Sequence, residues 1–481
     1  MDLAHAKTKT IVDWFEQINR IPRCSKNEKA FCDWLLSWAK EHGFEARTDK
    51  VMNLVIEVPA SAGMEDKPTC ILQGHMDMVC EKTKGSTHDF DKDAVPVRET
   101  DGWLHADDTT LGADNGIAIA MALALALDDN TAHPPLELLF TVDEETGLTG
   151  ATALEPGFLK GKLLLNLDSE DEGIFTVGCA GGKDAHVIIP VNPVTPPDGY
   201  QAFKLIAGGM RGGHSGVDIH EQRANAIKVL ARALDAIQSK TDLRLVELSG
   251  GTAHNAIPRD AEALIVVPTA GAELAQQTVA ELAGKLKTEC AQTDPGVVLE
   301  LEAGGQAEQV LSGEETRRLL DCLLVFPHGV AEMSNDIEGL VETSNNMATV
   351  KTGASQIELL SSQRSSNMDK LALLTEQICA VARLAGGECE VGGGYPAWQP
   401  NMDSPLLAKC QAVYQELFGK EPVVEIIHAG LECGIIGAKY EGMDMISFGP
   451  TIKNPHSPDE KIEVETIGKV WDFLAALLKA I

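Results

Sequence analysis

Asp114 lies in Gly112-Ala113-Asp114-Asn115-Gly116, a glycine-flanked turn directly ahead of the apolar run Ile117 to Leu127. A carboxylate fixed at the entrance of a buried helix can cap backbone N–H groups, or it can place its two oxygens between two cations. Three further segments carry metal-ligand residues at the ends of apolar strand patterns: Gln73-Gly74-His75-Met76-Asp77, Asp143-Glu144-Glu145-Thr146-Gly147 and Asn166-Leu167-Asp168. A fourth, Asn454-Pro455-His456-Ser457-Pro458, lies near the C-terminus. In an extended segment His75 and Asp77 point to the same side, so Asp77 can accept the proton on the imidazole nitrogen turned away from a metal. Three adjacent acids at positions 143–145 repel one another and are costly to desolvate without cations or protons nearby. The turn at Thr146-Gly147 suits aiming one of these carboxylates at a metal and its neighbour at a water. Taken singly, each segment also has a plain structural reading: an N-cap, a surface His-Asp pair, a solvated acidic loop. Their joint occurrence favours a metal site.

The elements that must position these groups can be read from hydropathy. Residues 10–45 suggest two helices, the second with Ala30, Phe31, Trp34, Leu35 and Trp38 at helical spacing before His42-Gly43 stops it. Asn53 to Glu57, Thr69 to Gly74, Leu136 to Val142 and Lys162 to Leu167 read as strands, with His75, the acids of 143–145 and Asp168 following at their ends. Ligands at the carboxyl ends of strands are the usual arrangement of open α/β sheets. After about residue 185 the composition shifts. Strand patterns at Phe203 to Ile206, Leu243 to Leu248, Ala263 to Val267 and Val297 to Leu301 alternate with helical ones near His220 to Leu234 and Ala272 to Cys290. From about 388 the chain returns to Gly- and Pro-rich loops, a helix near Leu406 to Leu417, a strand around Met445 to Phe448, and His456. The expected organisation is a first domain in two parts, 1–185 and 388–481, with an α+β insertion over 186–387.

Length and charge narrow the function further. A chain of 481 residues with 44% hydrophobic content has room for more than one core. Its formal charge of −32, from 40 basic and 72 acidic residues, argues against a surface that tracks phosphates, so no nucleic-acid partner is expected. The N-terminus lacks the apolar core of a secretory signal, and the apolar run from Ile117 is well short of the roughly 20 residues that cross a bilayer. No export and no membrane span are expected. Eleven cysteines without a C-x-x-C pair fit a reducing cytoplasm. Cys80 and Cys433, near the marked segments, read as small buried hydrophobes rather than as nucleophiles or ligands.

The insertion carries marked residues of its own: Gly212-Gly213-His214-Ser215-Gly216, Asn255 in Thr252-Ala253-His254-Asn255-Ala256-Ile257-Pro258, and Arg364 in Gln363-Arg364-Ser365-Ser366. With the segments above, His428-Ala429-Gly430-Leu431-Glu432-Cys433-Gly434, and Gly449-Pro450-Thr451 through Asp459-Glu460, they occur in an order that resembles the dinuclear-zinc aminoacylase and carnosinase family of metallopeptidases. Within that family the resemblance is to the branch that cleaves Xaa-His dipeptides, and it covers essentially the whole chain. It implies a three-layer α/β/α dizinc catalytic domain with an inserted α+β lid and dimerisation domain. It also implies that His75 and Asp168 hold one zinc ion, Glu145 and His456 the other, and that Asp114 bridges both, with a cis peptide at Asp114-Asn115. By the same resemblance Glu144 is the general base and Asp77 orients His75. His214 stabilises the oxyanion, often across a dimer interface, and Asn255 and Arg364 bind the substrate carboxylate.

The activity implied is hydrolysis of unblocked dipeptides, preferentially Xaa-His and including β-alanyl-histidine, in a cytoplasmic homodimer. The ions are expected to be Zn²⁺, although carboxylate-rich sites also accept Mn²⁺ or Co²⁺. Two alternatives stand beside this: an N-acyl-amino-acid deacylase or other exopeptidase of the same family, and a catalytically inactive metal- or peptide-binding protein. His254 departs from some relatives, either tuning substrate preference or standing as an exposed strand-edge residue.

Overall fold

The computed structural model describes residues 5–335, 337 and 339–481. It divides into two compact units, one of residues 1–179, 398–426 and 431–481, the other of 180–397 and 427–430. The boundaries differ from those expected at 185 and 388, and strand pairing gives the reason. Gly181–Pro190 pairs with Gln356–Ser365 on one side and with Glu388–Tyr395 on the other, so both flanking segments belong to the second sheet.

The first unit is built on an eight-stranded sheet in the order Glu45–Thr48, Leu54–Val58, Leu136–Thr141, Cys70–His75, Leu163–Asn166, Asp444–Ser447, Ile174–Cys179, Val423–Ile427. Four neighbouring strands run parallel: Leu136–Thr141, Cys70–His75, Leu163–Asn166 and Asp444–Ser447. Every residue of Leu136–Thr141 and Cys70–His75 is buried, as parallel strands covered on both faces require. The helix Ala113–Ala126 is apolar almost all round and buried along nearly its whole length, packed against Cys70–His75 and the helix Ala6–Ile18. Beyond the Asp444–Ser447 strand the chain enters a small four-stranded sheet. There Ile452–Lys453 pairs with Lys461–Glu463, which pairs in turn with Trp103–His105. The loop between the first two of these strands carries His456.

The second unit is a nine-stranded sheet whose strands pair antiparallel among the described residues. The helices Ala226–Gln238, Ala272–Glu289, Gly313–Val325 and Met368–Leu384 close a core around residues such as Leu205, Leu230, Leu245, Ile265, Leu320 and Leu359. The cysteine expectation needs a correction. Cys24 and Cys80 are joined in a disulfide, leaving nine free cysteines among the described residues. The loop after the first helix lies beside the segment following His75, through a bridge between Cys24 and Met78, and this brings the two sulfurs together. Cys433 is fully buried, and burial holds its thiol well above the ordinary range, which suits the small-hydrophobe reading.

Candidate metal centre

All four parallel strands end at one edge, and each delivers part of one cluster there. His75 closes Cys70–His75; Glu144 and Glu145 follow Leu136–Thr141; Asp168 follows Leu163–Asn166; and the segment after Asp444–Ser447 leads to His456. Asp114 comes from the start of Ala113–Ala126, where its φ and ψ of −79° and 108° are not helical and its peptide bond to Asn115 is cis.

The arrangement divides into two halves about Asp114. Its Oδ1 lies 3.0 Å from His75 Nε2, and that nitrogen is 3.4 Å from Asp168 Oδ1. Its Oδ2 lies 3.1 Å from His456 Nε2, which is 2.9 Å from Glu145 Oε2. Each oxygen therefore faces one histidine–acid pair. The ligand atoms of His75, Asp114 and Glu145 fall within 4.8 Å of one another.

Buried polar residues fix these side chains from behind. Asp77 Oδ1 lies 3.2 Å from His75 Nδ1 and accepts the Glu144 N–H at 3.0 Å, while its Oδ2 accepts Ser25 Oγ–H at 2.8 Å and the Glu145 N–H at 3.2 Å. One carboxylate thus orients the imidazole and the backbone of both glutamates. Asn115 accepts the His75 N–H and donates to Leu167 C=O, joining the segments of His75 and Asp168. The fully buried Arg23 donates to the carbonyls of Met76, Asp77 and Gly112. Gly112 has φ of +71°, and a Cβ there would sit 2.5 Å from Arg23 Nη2, so both conformation and space call for glycine. Glu460 accepts the N–H groups of Leu111 and Gly112 with Oε2 and those of Ala113 and Asp114 with Oε1.

The electrostatics fit a missing positive charge. Burial, reinforced by Asp114, pushes Glu145 up to about 7, and burial also raises Asp168. Burial, with Asp168, Glu145 and Glu432 nearby, raises Glu144 well above the carboxylate range. Burial raises Asp114 too, but contacts with His456 and His75 outweigh it and hold Asp114 below the ordinary range. Burial works against a charged His456, yet Asp114 and Glu145 push it up to about 11. Glu145 Oε1 and Asp168 Oδ1 are buried with no hydrogen-bond partner. Such oxygens are costly unless something cationic takes them. His75, Asp114, Glu145, Asp168 and His456 could thus hold two divalent ions, with Asp114 shared. The nearby group Glu28, Asp77 and Asp143 is different, because its oxygens already accept hydrogen bonds from Lys26, Ser25, Thr146, Thr149 and backbone amides.

His214, Asn255 and Arg364 all lie in the second unit. The short strand Gly213–His214 pairs with Ala256–Ile257, and the Ser215 N–H donates to Asn255 C=O. His214 Nδ1 accepts from the amides of Gly216 and Val217, which leaves the proton of a neutral ring on Nε2. A Cβ on Gly216 would lie 3.1 Å from both Arg364 Nε and His214 Cε1, so these two side chains converge. Asn255 is exposed, as is His254, whose Nδ1 is 3.0 Å from Asp184 Oδ2.

Sequence reasoning gave no role to Arg23, Asn115, Glu432 or Glu460. Asn115, Glu432 and Glu460 stand inside marked segments, and that position was the available signal. Arg23 had none, since its partners are backbone carbonyls distant in sequence. Glu432 is fully buried, accepts from Gln73 Nε2 at 2.5 Å and Thr141 Oγ1 at 2.7 Å, and is pushed up to about 7 by burial.

Comparison with known proteins places these features. The profile of Peptidase family M20/M25/M40 matches residues 71–480. A cytosol non-specific dipeptidase from Escherichia coli is 39% identical over 480 residues, covering 100% of this chain and 99% of its own length. The crystal structure of an aminoacylhistidine dipeptidase from Vibrio alginolyticus superposes with a TM-score of 0.88 at 40% identity, covering 100% of this chain and 99% of that one. An aminopeptidase from Bacillus cereus shares the fold at a TM-score of 0.57 and 18% identity, with 98% of each chain covered.

Proposed function

Because the chain belongs to peptidase family M20/M25/M40, we propose that it is a metal-dependent dipeptidase that hydrolyses unblocked dipeptides, Xaa-His dipeptides among them, at the centre built around Asp114. One observation carries the mechanism: the two oxygens of a single buried carboxylate each face their own histidine–acid pair. His75 and Asp168 are assigned to one divalent ion, Glu145 and His456 to the other, and Asp114 to both; zinc is the first candidate for the donor set. When bound, a pair of such ions polarises the scissile carbonyl and lowers the pKa of water towards about 7.

The protein's own groups do the rest. Glu144 is the general base, taking a proton from the attacking water at its carboxylate and returning it to the departing amine nitrogen. Its carboxylate is not among the hydrogen-bond acceptors found in the described residues, while its backbone is held by Asp77. Burial, with Asp168, Glu145 and Glu432 nearby, raises the pKa of Glu144, in the direction that a group which takes up a proton and returns it requires. Asp77 keeps the His75 ring oriented through Nδ1. In the second unit Arg364 is assigned to the substrate carboxylate, with His214 and Asn255 as further substrate contacts. A cytoplasmic setting accords with the name of the Escherichia coli relative, and no helix among the described residues is long and apolar enough to cross a membrane.

The test is a substrate panel on protein stripped with a chelator and reloaded with Zn²⁺, Mn²⁺ or Co²⁺. Carnosine and Leu-His should be cleaved only after reloading, and faster than an acetylated amino acid or a tripeptide. Metal-independent cleavage, or a preference for the acetylated substrate, would overturn the assignment.

A further inference from the structure

We propose that Tyr395 is a positioning residue for substrate binding: its phenol fixes the guanidinium of Arg364 so that one edge is presented to the C-terminal carboxylate of a dipeptide. This rests on the dipeptidase reading above, and it adds to that reading the residue that decides how the carboxylate is received.

Three residues stand in a row across three strands. Arg364 pairs with Gly182, and Gly182 pairs with Tyr395 on the edge strand Glu388–Tyr395. Tyr395 is therefore one strand too far away to meet Arg364 unless its side chain crosses the middle strand. It does cross, and its hydroxyl accepts a hydrogen bond from Arg364 Nη1 at 2.7 Å. The crossing depends on glycine at 182, where a Cβ would lie 2.6 Å from Tyr395 Cζ and 2.7 Å from its hydroxyl oxygen. A second glycine clears space for the same ring, since a Cβ at Gly430 would lie 2.7 Å from Cε2 and 2.9 Å from Cζ. Two glycines bracketing one phenol leave the ring few other positions.

Arg364 shows what the arrangement is for. The residue is 7% exposed, its Nε is buried without a hydrogen-bond partner, and no carboxylate lies within ion-pair distance of it among the described residues. A buried, unpaired guanidinium donor is costly, and its complement is an anion with two oxygens. Tyr395 occupies Nη1, which leaves the edge formed by Nε and Nη2, the side-on fork that a carboxylate can bridge with two hydrogen bonds. Burial, with the charge of Arg364 nearby, holds His428 down to about 3, so at neutral pH that ring does not compete as a cation. Its Nε2 is 2.7 Å from Ser344 Oγ.

The test is Tyr395→Phe in the metal-loaded protein, read as KM and kcat separately. Loss of a hydrogen bond to a charged group is expected to raise KM for Leu-His roughly tenfold or more. The kcat should stay within about twofold, and kcat/KM for Leu-His amide, which lacks the carboxylate, should hold. A purely structural role would damage both substrates alike. Gly182→Ala, which displaces the ring while keeping tyrosine at position 395, should show the same rise in KM, and it replaces the first variant if Tyr395→Phe does not fold. Unchanged KM for Leu-His, or equal losses on acid and amide, overturns the inference and leaves the dipeptidase reading standing. A wild-type protein that cleaves no free dipeptide when metal-loaded overturns both.

Discussion

Asp114→Asn separates the two uses of this carboxylate that the sequence leaves open. Asparagine caps a helix about as well as aspartate, so a capping role predicts a stability change of at most a few tenths of a kcal/mol. A carboxylate shared between two cations predicts something much larger. Oδ1 and Oδ2 stand 3.0 and 3.1 Å from His75 and His456, and the amide keeps one of these acceptors while turning an NH₂ group towards the other half of the site. Removing one charge costs about 3–5 kcal/mol where the set is buried, as at His75 and Asp168, and less at the half-exposed His456. At 1.4 kcal/mol per decade this weakens the binding of at least one ion by roughly a hundred- to a few-thousand-fold. Equilibrium dialysis with elemental analysis should therefore find the variant holding about one ion where the wild type holds about two, and Leu-His hydrolysis should fall roughly 10²-fold or more. Two ions retained at wild-type affinity would refute the bridging assignment outright.

Glu144→Gln should lower kcat by about 10²–10⁴-fold with both ions still bound; full turnover would remove Glu144 from the mechanism. Metal binding at pH 7 should release protons. His456 is pushed up to about 11, His75 is raised, against the effect of burial, well above the imidazole range by Asp168, Asp114 and Asp77, and Glu145 is up at about 7, so calorimetry in buffers of different ionisation enthalpy should report a net release of more than one proton and an affinity that rises with pH. No buffer dependence would contradict the ligand set. Glu460→Gln puts an NH₂ group against two of four backbone N–H donors, and should destabilise the metal-free protein to urea by about 2–4 kcal/mol. Thiol titration of the denatured, unreduced protein should count nine free cysteines, whereas eleven would show that the Cys24–Cys80 bond does not form.

The ligand-bearing strands were legible because each is a short apolar run ended by a polar group, which is how a parallel strand buried on both faces looks in sequence. Glu137, the one charged residue within Leu136–Thr141, is buried as well, meeting Arg47 Nη2 at 2.6 Å and the N–H groups of Lys160 and Gly161. The strands Val341–Thr352 and Gln356–Ser365 were barely legible. Their buried residues include Thr343, Asn345, Asn346, Ser361 and Gln363, a composition that reads as loop. They are stable inside because they satisfy one another: Ser361 Oγ and Gln363 Nε2 both donate to Asn345 Oδ1 across the paired strands. Nothing local announces such a partnership, and the same holds for Arg23 on the carbonyls of Met76, Asp77 and Gly112.

Glu460 shows why the capping and bridging readings of Asp114 were hard to separate from sequence, and how the fold separates them. The first turn of a helix offers unpaired N–H groups and a partial positive charge, and Asp114 is the carboxylate nearest to them along the chain. Left alone, its oxygens would be drawn back onto that backbone. Glu460 takes those N–H groups instead, two with each oxygen, although burial raises its own pKa and so opposes its charge. Asp114 is then left to face His75 and His456. Glu460 and His456 sit on the same short loop between Ile452–Lys453 and Lys461–Glu463, so one loop supplies both a ligand of the second ion and the cap that keeps the shared carboxylate available. A change that displaces this loop must disturb both halves of the centre together, because the first half depends on Asp114 and Asp114 depends on Glu460.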